Sequence, residues 1–288
     1  MQNGQVTSTA SASQPAEAGQ PPTWTRFVAL GDSFTEGLWD QPVADGPCRG
    51  WADMLASTLS TRRVAAGEEP LEYANLAVRG RLLHPILSDQ LPRALDLQPD
   101  LVSLVGGGNN MLRPATDVDA MARELERAVI RATHAGAHVL LATGMDAADS
   151  LLVRRTRNRT ALFNAHVWSI ARRHDASVLD LWGIRSLRDW RMWAPDRIHL
   201  TTEGHTRVAQ AALVALGLPP DNPDWDDPLT PLPPAPRLQQ ARDDAQWVRE
   251  HLYPWATRRL RRQNGDERLP KRPDLAPVEH ARSGAHPG

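Results

Sequence analysis

The sequence predicts an α/β protein whose parallel β-sheet is covered by helices on both faces. Short apolar runs of strand length alternate with longer segments in which apolar residues recur with the periodicity of one helix face. The strand candidates are almost entirely apolar, which is typical of strands buried on both faces. The chain has 288 residues, of which 41% are hydrophobic, so it can form a sizeable core.

The predicted strands and helices alternate regularly from residue 26 onwards. The strand candidates are 26–30, 71–77, 101–106, 138–143 and 177–182. The helix candidates are 50–60, 82–95, 117–136, about 154–174 and about 202–216. Thr201 and Thr202 are candidates for the N-cap of the last helix. We expect a flavodoxin-like strand order, 2-1-3-4-5, in which the ends of the first and third strands lie side by side.

The chain on either side of this pattern has a different composition. Residues 1–24 are polar and rich in Ser, Ala and Pro, which predicts a disordered leader before a domain at 25–218. A proline-rich linker is predicted at 219–236. Residues 237–263 have the apolar spacing of an amphipathic helical extension, and 264–288 are predicted to be a disordered tail.

Composition and charge argue against several classes of protein. The net charge is −1, so we expect neither a nucleic-acid partner nor a membrane surface. No secretory signal and no apolar run of roughly 18 residues is found, which favours a cytoplasmic protein without a transmembrane segment. Cys48 is the only cysteine, and Lys271 is the only lysine among 33 basic residues. We predict no metal site; the oligomeric state stays open.

Four polar blocks lie where the strand ends are expected to converge. The first is Gly-Asp-Ser-Phe at 31–34, directly after the first strand, and Gly80 follows the second strand. The third block is Gly-Gly-Gly-Asn-Asn at 106–110, and Asp196 precedes His199 by three residues in the fourth. Ligands of open parallel sheets bind beyond the carboxyl ends of the strands, so these blocks predict a site.

The residue types in these blocks match the requirements of acyl transfer. Ser33 offers a hydroxyl nucleophile, His199 a base, and Asp196 an acceptor that holds the tautomer of His199. The backbone N–H groups of Ser33 and Gly80, together with the side-chain amide of Asn109, can form an oxyanion hole. Ser33 alone would be interpreted as a turn serine; the other three blocks favour the nucleophile.

In this order, the four blocks resemble those of the SGNH hydrolase superfamily, also called GDSL-type esterases and lipases. The resemblance covers about 26–217 and implies a flavodoxin-like three-layer α/β/α sandwich, ester hydrolysis without a cofactor, and the residue roles given above. Phe34 replaces the usual leucine, and Asn110 replaces the aspartate that usually follows the catalytic asparagine. Asparagine can still cap or hydrogen-bond a turn. Asp32 is interpreted as a hydrogen-bonding support.

The substrate is less well defined than the chemistry. Trp190 and Trp193 precede the Asp–His pair, and Arg79 adjoins Gly80, so all three are candidates for contact with a small-molecule ester. Core packing is the alternative for the tryptophans. His205 is assigned no role. Lysophospholipase, thioesterase or sugar O-deacetylase activity, and a non-catalytic binding module, remain as alternative functions on the same scaffold.

Overall fold

The computed structural model describes residues 22–41, 47–146, 154–231, 246–247, 249–250 and 269–278. Within these ranges a single mixed sheet contains the strands β1 Arg26–Leu30, β2 Glu72–Asn75, β3 Leu101–Leu104, β4 His138–Ala142, β5 Ser177–Leu179 and β6 Arg272–Pro277. Their order is β5-β4-β3-β1-β2-β6. Strands β1 to β5 pair in parallel, and β6 pairs antiparallel with β2. The predicted order 2-1-3-4-5 is confirmed, and β6 extends the sheet beyond β2.

Helices cover both faces of the sheet, as predicted. Their bounds are α1 Ser33–Glu36, α2 Trp51–Ala65, α3 Leu83–Pro85, α4 Leu91–Asp96, α5 Gly108–Met111, α6 Val118–His134, α7 Arg157–His174 and α8 Thr202–Ala215, with a π-helical turn at Ile86–Gln90. Helices α2 and α8 share one core cluster, and α3, α4, α6 and α7 share the other. Among the described residues, no helix has the length and hydropathy required to cross a bilayer.

The alternation of side chains along β1 assigns residues to the two cores. Phe27 and Ala29 pack in the cluster with α2 and α8, whereas Val28 and Leu30 pack in the opposite cluster. All four side chains are fully buried. Because successive side chains of a strand point to opposite faces, a strand covered on both sides must be apolar throughout. This explains why the strand was recognisable from the sequence.

The prediction of a disordered tail at 264–288 is wrong for Arg272–Pro277, because these residues form strand β6. The described part of the tail continues to Val278, whose N–H donates to the carbonyl of Leu71 (2.9 Å). Prolines are compatible with this position because an edge strand leaves one row of backbone groups unpaired. The strand therefore depends on pairing with β2 rather than on its own sequence pattern.

The other predicted boundaries also need adjustment where the structure describes them. In the predicted leader, Trp24 stacks on His138 with ring centroids 5.7 Å apart, and Arg63 donates to the carbonyl of Pro22 (3.1 Å). Residues 1–21 lie outside the described residues. Residues 219–231 of the predicted linker lie on the domain surface, where Asp221 pairs with Arg62 (2.7 Å). Most of the predicted extension at 237–263 also lies outside the described residues.

Candidate active site

Ser33 lies at the point where β1 passes directly into α1. A Cβ atom on Gly31 would stand 2.5 Å from Oγ1 of Thr35 and 2.8 Å from the carbonyl oxygen of Val105. Only glycine therefore allows the end of β1, the first turn of α1 and the end of β3 to approach so closely. Asp32 caps α1, since its Oδ1 accepts from the N–H of Phe34 (3.1 Å). This turn places Ser33 at the carboxyl edge of the sheet.

Ser33, His199 and Asp196 form one continuous hydrogen-bonded chain. Oγ of Ser33 lies 2.8 Å from Nε2 of His199, and Nδ1 of His199 lies 2.6 Å from Oδ2 of Asp196. A carboxylate can only accept, so Nδ1 carries the proton and Nε2 accepts from the serine hydroxyl. Oδ1 of Asp196 also accepts from the N–H groups of Ile198 and His199 (3.0 Å each). These bonds fix the loop that carries the acid and the imidazole.

Asp196 is ionised at neutral pH. Burial alone would raise the pKa of its carboxyl, but the hydrogen bond and the charge interaction with His199, together with the two backbone donors, lower the pKa to about 2. The side chains of Asp196 and His199 are only 13% and 18% exposed. The carboxylate can therefore stabilise a positive charge on the imidazole in a largely water-excluded position.

The amide of Asn109 links the first and second blocks. Its Nδ2 donates to Oδ2 of Asp32 and to the carbonyl of Arg81, both at 3.1 Å. Asp32 is almost fully buried, and this burial raises the pKa of its carboxyl despite the donors that face it. Asp32 therefore supports Asn109 through a hydrogen bond, which is the role that the sequence suggests for this carboxylate. Donation by Asn109 to a bound oxyanion requires the bond to Asp32 or the bond to Arg81 to be exchanged or shared.

Gly80 has a left-handed backbone, with φ at +82°, in the turn that follows β2. Among the described residues, no intramolecular acceptor is found for the backbone N–H of Gly80 or of Ser33. The preceding residue, Arg79, donates its backbone N–H to Oε2 of Glu36 (2.8 Å), and its guanidinium is bonded to the same carboxylate. Arg79 does not line the cavity described below. The structure thus shows Arg79 in an ion pair with Glu36, and its contact with a substrate stays a prediction.

Asn110 retains the hydrogen bond that an aspartate could make at this position. Its Oδ1 accepts from the backbone N–H of Leu83 (2.9 Å), the first residue of α3. This bond attaches the start of α3 to the block that carries Asn109. Because only an oxygen acceptor is needed, replacement of the usual aspartate by asparagine keeps the contact.

A cavity of about 240 Å³ opens beside Ser33 and His199. Apolar side chains provide much of its lining, among them Val105, Met111, Leu112, Met145, Phe163 and Leu187. Trp190 and Trp193 also line it, with ring centroids 6.2 Å apart, as their predicted role in substrate binding requires. The guanidinium carbon of Arg197 lies 5.7 Å from the ring centroid of Trp190 and 5.2 Å from that of Trp247.

His205 also lines this cavity, although the sequence assigned it no role. Its Nδ1 accepts from the backbone N–H of Trp51 (3.3 Å), and burial lowers its pKa to about 4, so the ring is neutral.

Within the described ranges, no group of three or more His, Cys, Asp and Glu side chains could hold a metal ion. The contacts of Glu36 and Lys271 were missed by sequence reasoning; the only available signal was that Lys271 is the sole lysine.

Solved structures with the same fold include several hydrolases. The α/β hydrolase LAE5 from the metagenome of Lake Arreo, Spain, is 21% identical, with a TM-score of 0.56 over 67% of this chain and 95% of its own. The acetylxylan esterase Axe2 from Geobacillus stearothermophilus is 17% identical, with a TM-score of 0.56 over 71% and 97%. The esterase EstA from Pseudoalteromonas sp. is 15% identical, with a TM-score of 0.51 over 67% and 96%.

At these identities the structural likeness establishes the fold alone, and no curated protein matches the sequence. The family model provides the stronger comparison. The description GDSL-like lipase/acylhydrolase matches residues 29–207, which is more than half of the chain and includes all four polar blocks. The resemblance seen in the sequence is therefore confirmed, and the protein belongs to the GDSL-like lipase/acylhydrolase family.

Proposed function

We propose that the protein is a serine esterase that hydrolyses carboxylic esters through an acyl-enzyme. The observation that carries this proposal is the continuous chain from Oγ of Ser33 through His199 to Asp196. Such a chain activates a hydroxyl that is otherwise a poor nucleophile. Family membership and the esterases among the structural neighbours support the same class of reaction.

In the first half-reaction, Oγ of Ser33 attacks the ester carbonyl while Nε2 of His199 takes the hydroxyl proton. The resulting imidazolium is stabilised by the ionised Asp196, which accepts from Nδ1. Collapse of the tetrahedral intermediate breaks the bond to the alcohol oxygen, and His199 returns the proton to that oxygen. Water then attacks the acyl-enzyme by the same route, so that the acid is released and Ser33 is regenerated.

The negative charge that develops on the carbonyl oxygen requires hydrogen-bond donors. The backbone N–H groups of Ser33 and Gly80 have no intramolecular acceptor in the described part of the chain, so they can donate without first breaking a bond. Asn109 supplies the third donor by exchanging its bond to Asp32 or to the carbonyl of Arg81. Preorganised donors of this kind are the largest single contribution to many acyl transfers.

The cavity favours an apolar acyl group of limited size. Its volume of about 240 Å³ is below the range of roughly 300–1,000 Å³ that is typical of drug-sized ligands. Each methylene group that moves from water into such a lining contributes about 0.8 kcal/mol. We therefore expect kcat/KM to rise from acetyl to butyryl esters, and to continue rising with chain length until the cavity is filled.

Hydrolysis of p-nitrophenyl acetate, butyrate and octanoate tests the proposal directly. Wild type and a Ser57→Ala control, which changes an exposed serine on α2, are expected to turn over, whereas Ser33→Ala is not. A fluorophosphonate probe is expected to label wild type and the control at Ser33. Equal turnover by wild type and Ser33→Ala would show that Ser33 is not the nucleophile. Absence of both turnover and labelling in wild type would favour a non-catalytic binding module.

Sugar O-deacetylation is the second candidate, because Trp190 lies at the cavity with 44% of its surface exposed. A partly exposed tryptophan in the lining of a cavity can pack against an apolar sugar face. A strong preference for acetate over butyrate and octanoate, together with release of acetate from an acetylated oligosaccharide, would favour this function. A rise in kcat/KM with acyl length would favour the simple ester substrate.

A further inference from the structure

The only lysine of the chain is nearly buried against the backbone that leads away from Ser33. Nζ of Lys271 donates to the carbonyl oxygens of Glu36 (2.6 Å), Cys48 (2.8 Å) and Arg49 (2.6 Å) and to Oδ2 of Asp53 (2.7 Å). The side chain of Lys271 is only 12% exposed. Its ammonium group thus connects the C-terminal segment, defined here as residues 269–278, to the end of α1 and the start of α2.

The geometry of these acceptors explains why lysine stands here in a chain that otherwise uses arginine. An ammonium group is compact and directs its three N–H donors around a single nitrogen, so it can serve acceptors that converge on one point. Four acceptors surround Nζ of Lys271, so at least one N–H is shared between two of them. A guanidinium group is planar and presents its donors in a rigid fork. Lys271 meets three carbonyls with a single nitrogen, whereas the neighbouring Arg272 reaches its three carbonyls with two separate nitrogens, Nε and Nη2.

The contact with Glu36 leads directly to the proposed oxyanion hole. Glu36 is the last residue of α1, the helix that begins with Ser33. Its carbonyl oxygen accepts from Lys271, while its carboxylate accepts from the backbone N–H of Arg79 (2.8 Å) and binds the Arg79 guanidinium. Arg79 immediately precedes Gly80. Lys271, Glu36 and Arg79 therefore form a continuous path from β6 to the Gly80 turn.

We propose that Lys271 is a positioning residue for the active site. By holding the carbonyl of Glu36, Lys271 fixes the end of α1 and the direction of the Glu36 carboxylate. That carboxylate in turn holds the Gly80 turn against Ser33. The catalytic part of this inference rests on the proposed function, whereas the mechanical part, the restraint of the Gly80 turn, does not depend on turnover.

The test compares two substitutions in the full-length protein. Lys271→Met keeps the length of the side chain but removes all four bonds to Nζ. Arg272→Met is the matched control, because Arg272 donates to the carbonyls of Tyr73, Ala276 and Pro277 and not to α1. Kinetics with p-nitrophenyl butyrate and amide hydrogen exchange at Arg79, measured by NMR, are the two readouts.

We expect Lys271→Met to lower kcat by about 10- to 100-fold with little change in KM, because small displacements of catalytic donors have effects of this size. We expect exchange at the Arg79 amide to accelerate by at least about tenfold, since a charge-assisted hydrogen bond is weakened. Arg272→Met should change neither readout appreciably. Equal losses of kcat in both variants, or unchanged exchange at Arg79 in a folded Lys271→Met protein, would overturn the proposal.

If Lys271→Met does not fold, two further variants test whether Lys271 positions the Gly80 turn. Glu36→Gln leaves the backbone contact with Lys271 in place but weakens the hold on Arg79, so lower kcat and faster exchange at Arg79 are expected. No change in either quantity would overturn the proposal. In Lys271→Ala, n-propylammonium is expected to restore kcat and exchange protection, whereas n-propanol, which lacks the charge, is not. If wild type hydrolyses none of the esters, the proposed function fails, and exchange at Arg79 alone decides whether Lys271 restrains the turn.

Discussion

In the proposed mechanism, the base side of the site (Asp196 and His199) and the oxyanion side (the donors of Ser33, Gly80 and Asn109) are built in different ways. On the base side, Asp196 and His199 lie three residues apart on one loop, and their bond is local. Across the described part of the chain, a distant hydrogen bond joins His199 to Ser33, 166 positions away. On the oxyanion side, the donors come from three separate blocks and are held by side chains such as Asp32 and Glu36. The base side therefore follows from a short motif, whereas the oxyanion side depends on several long-range contacts.

The largest expected effect concerns the base itself. His199→Ala removes the proton acceptor of Ser33, and we expect kcat for p-nitrophenyl butyrate to fall by at least about 10⁴-fold. His134→Ala, at an exposed position near the end of α6, is the control and is expected to retain wild-type activity. If kcat of His199→Ala fell only a few-fold, another group would take the serine proton. The base would then not follow from the short Asp196–His199 motif.

The second-largest expected effect concerns the carboxylate of Asp196, which accepts from Nδ1 of His199. Asp196→Asn can still accept from the backbone N–H groups of the loop, but it no longer holds the imidazole with a carboxylate. We expect kcat to fall by about 10³–10⁴-fold, while the KM for p-nitrophenyl butyrate changes little.

The same variant has a pH signature. The pKa of Asp196 is about 2 in the folded protein and 3.8 in its reference state, so the stabilisation from its charge is present above pH 3.8 and is lost as the pH falls towards 2. The difference in Tm between wild type and Asp196→Asn should therefore be fully present at pH 5 and should shrink as the pH falls below 3.8. An equal difference at pH 6 and pH 3 would contradict this assignment.

A smaller effect is expected on the oxyanion side, where several donors share the charge. Asn109→Ala removes one donor, which typically lowers kcat by about 10²–10³-fold. Asn158→Ala, an exposed substitution on α7, serves as the control. If Asn109→Ala instead raises KM with kcat unchanged, the amide binds the ground state rather than the developing oxyanion.

The smallest effect concerns the asparagine that departs from the family pattern. Asn110→Ala removes the acceptor for the N–H of Leu83, and loss of such a helix-end contact costs about 1 kcal/mol. For a domain of this size, we expect Tm to fall by about 2–4 °C. Asn110→Asp keeps an oxygen at the same place and should leave Tm nearly unchanged. A large loss in Asn110→Asp would show that the amide N–H₂ of Asn110 also has a role.

The sequence was most informative where structure is determined locally. Strand β1 was predicted with its observed bounds, because burial on both faces makes the strand apolar throughout. By contrast, β6 contains Pro273 and Pro277 and has no apolar alternation, so only its pairing with β2 reveals it as a strand. Prediction from local patterns cannot detect an element whose hydrogen bonds come from residues about 200 positions away.

The same distinction holds within the site. The spacing of Asp196 and His199 was sufficient to predict their contact. The ion pair of Glu36 with Arg79 was not predicted, because 43 residues separate the two side chains and neither lies in a recognisable pattern. The sequence indicates only that Arg79 adjoins Gly80, which makes it a candidate for contact with a substrate. The structure shows that the guanidinium of Arg79 binds the carboxylate of Glu36.

Strand β6 also has a consequence for how molecules of this protein meet in solution. Without it, β2 would present an unpaired row of backbone donors and acceptors, which is a template for pairing with another chain. β6 pairs with that edge and makes itself a poor template, because Pro273 and Pro277 cannot donate a backbone hydrogen bond. The opposite edge is the short strand β5, Ser177–Leu179. Short or proline-containing edges at both ends of the sheet protect the protein against aggregation through strand addition.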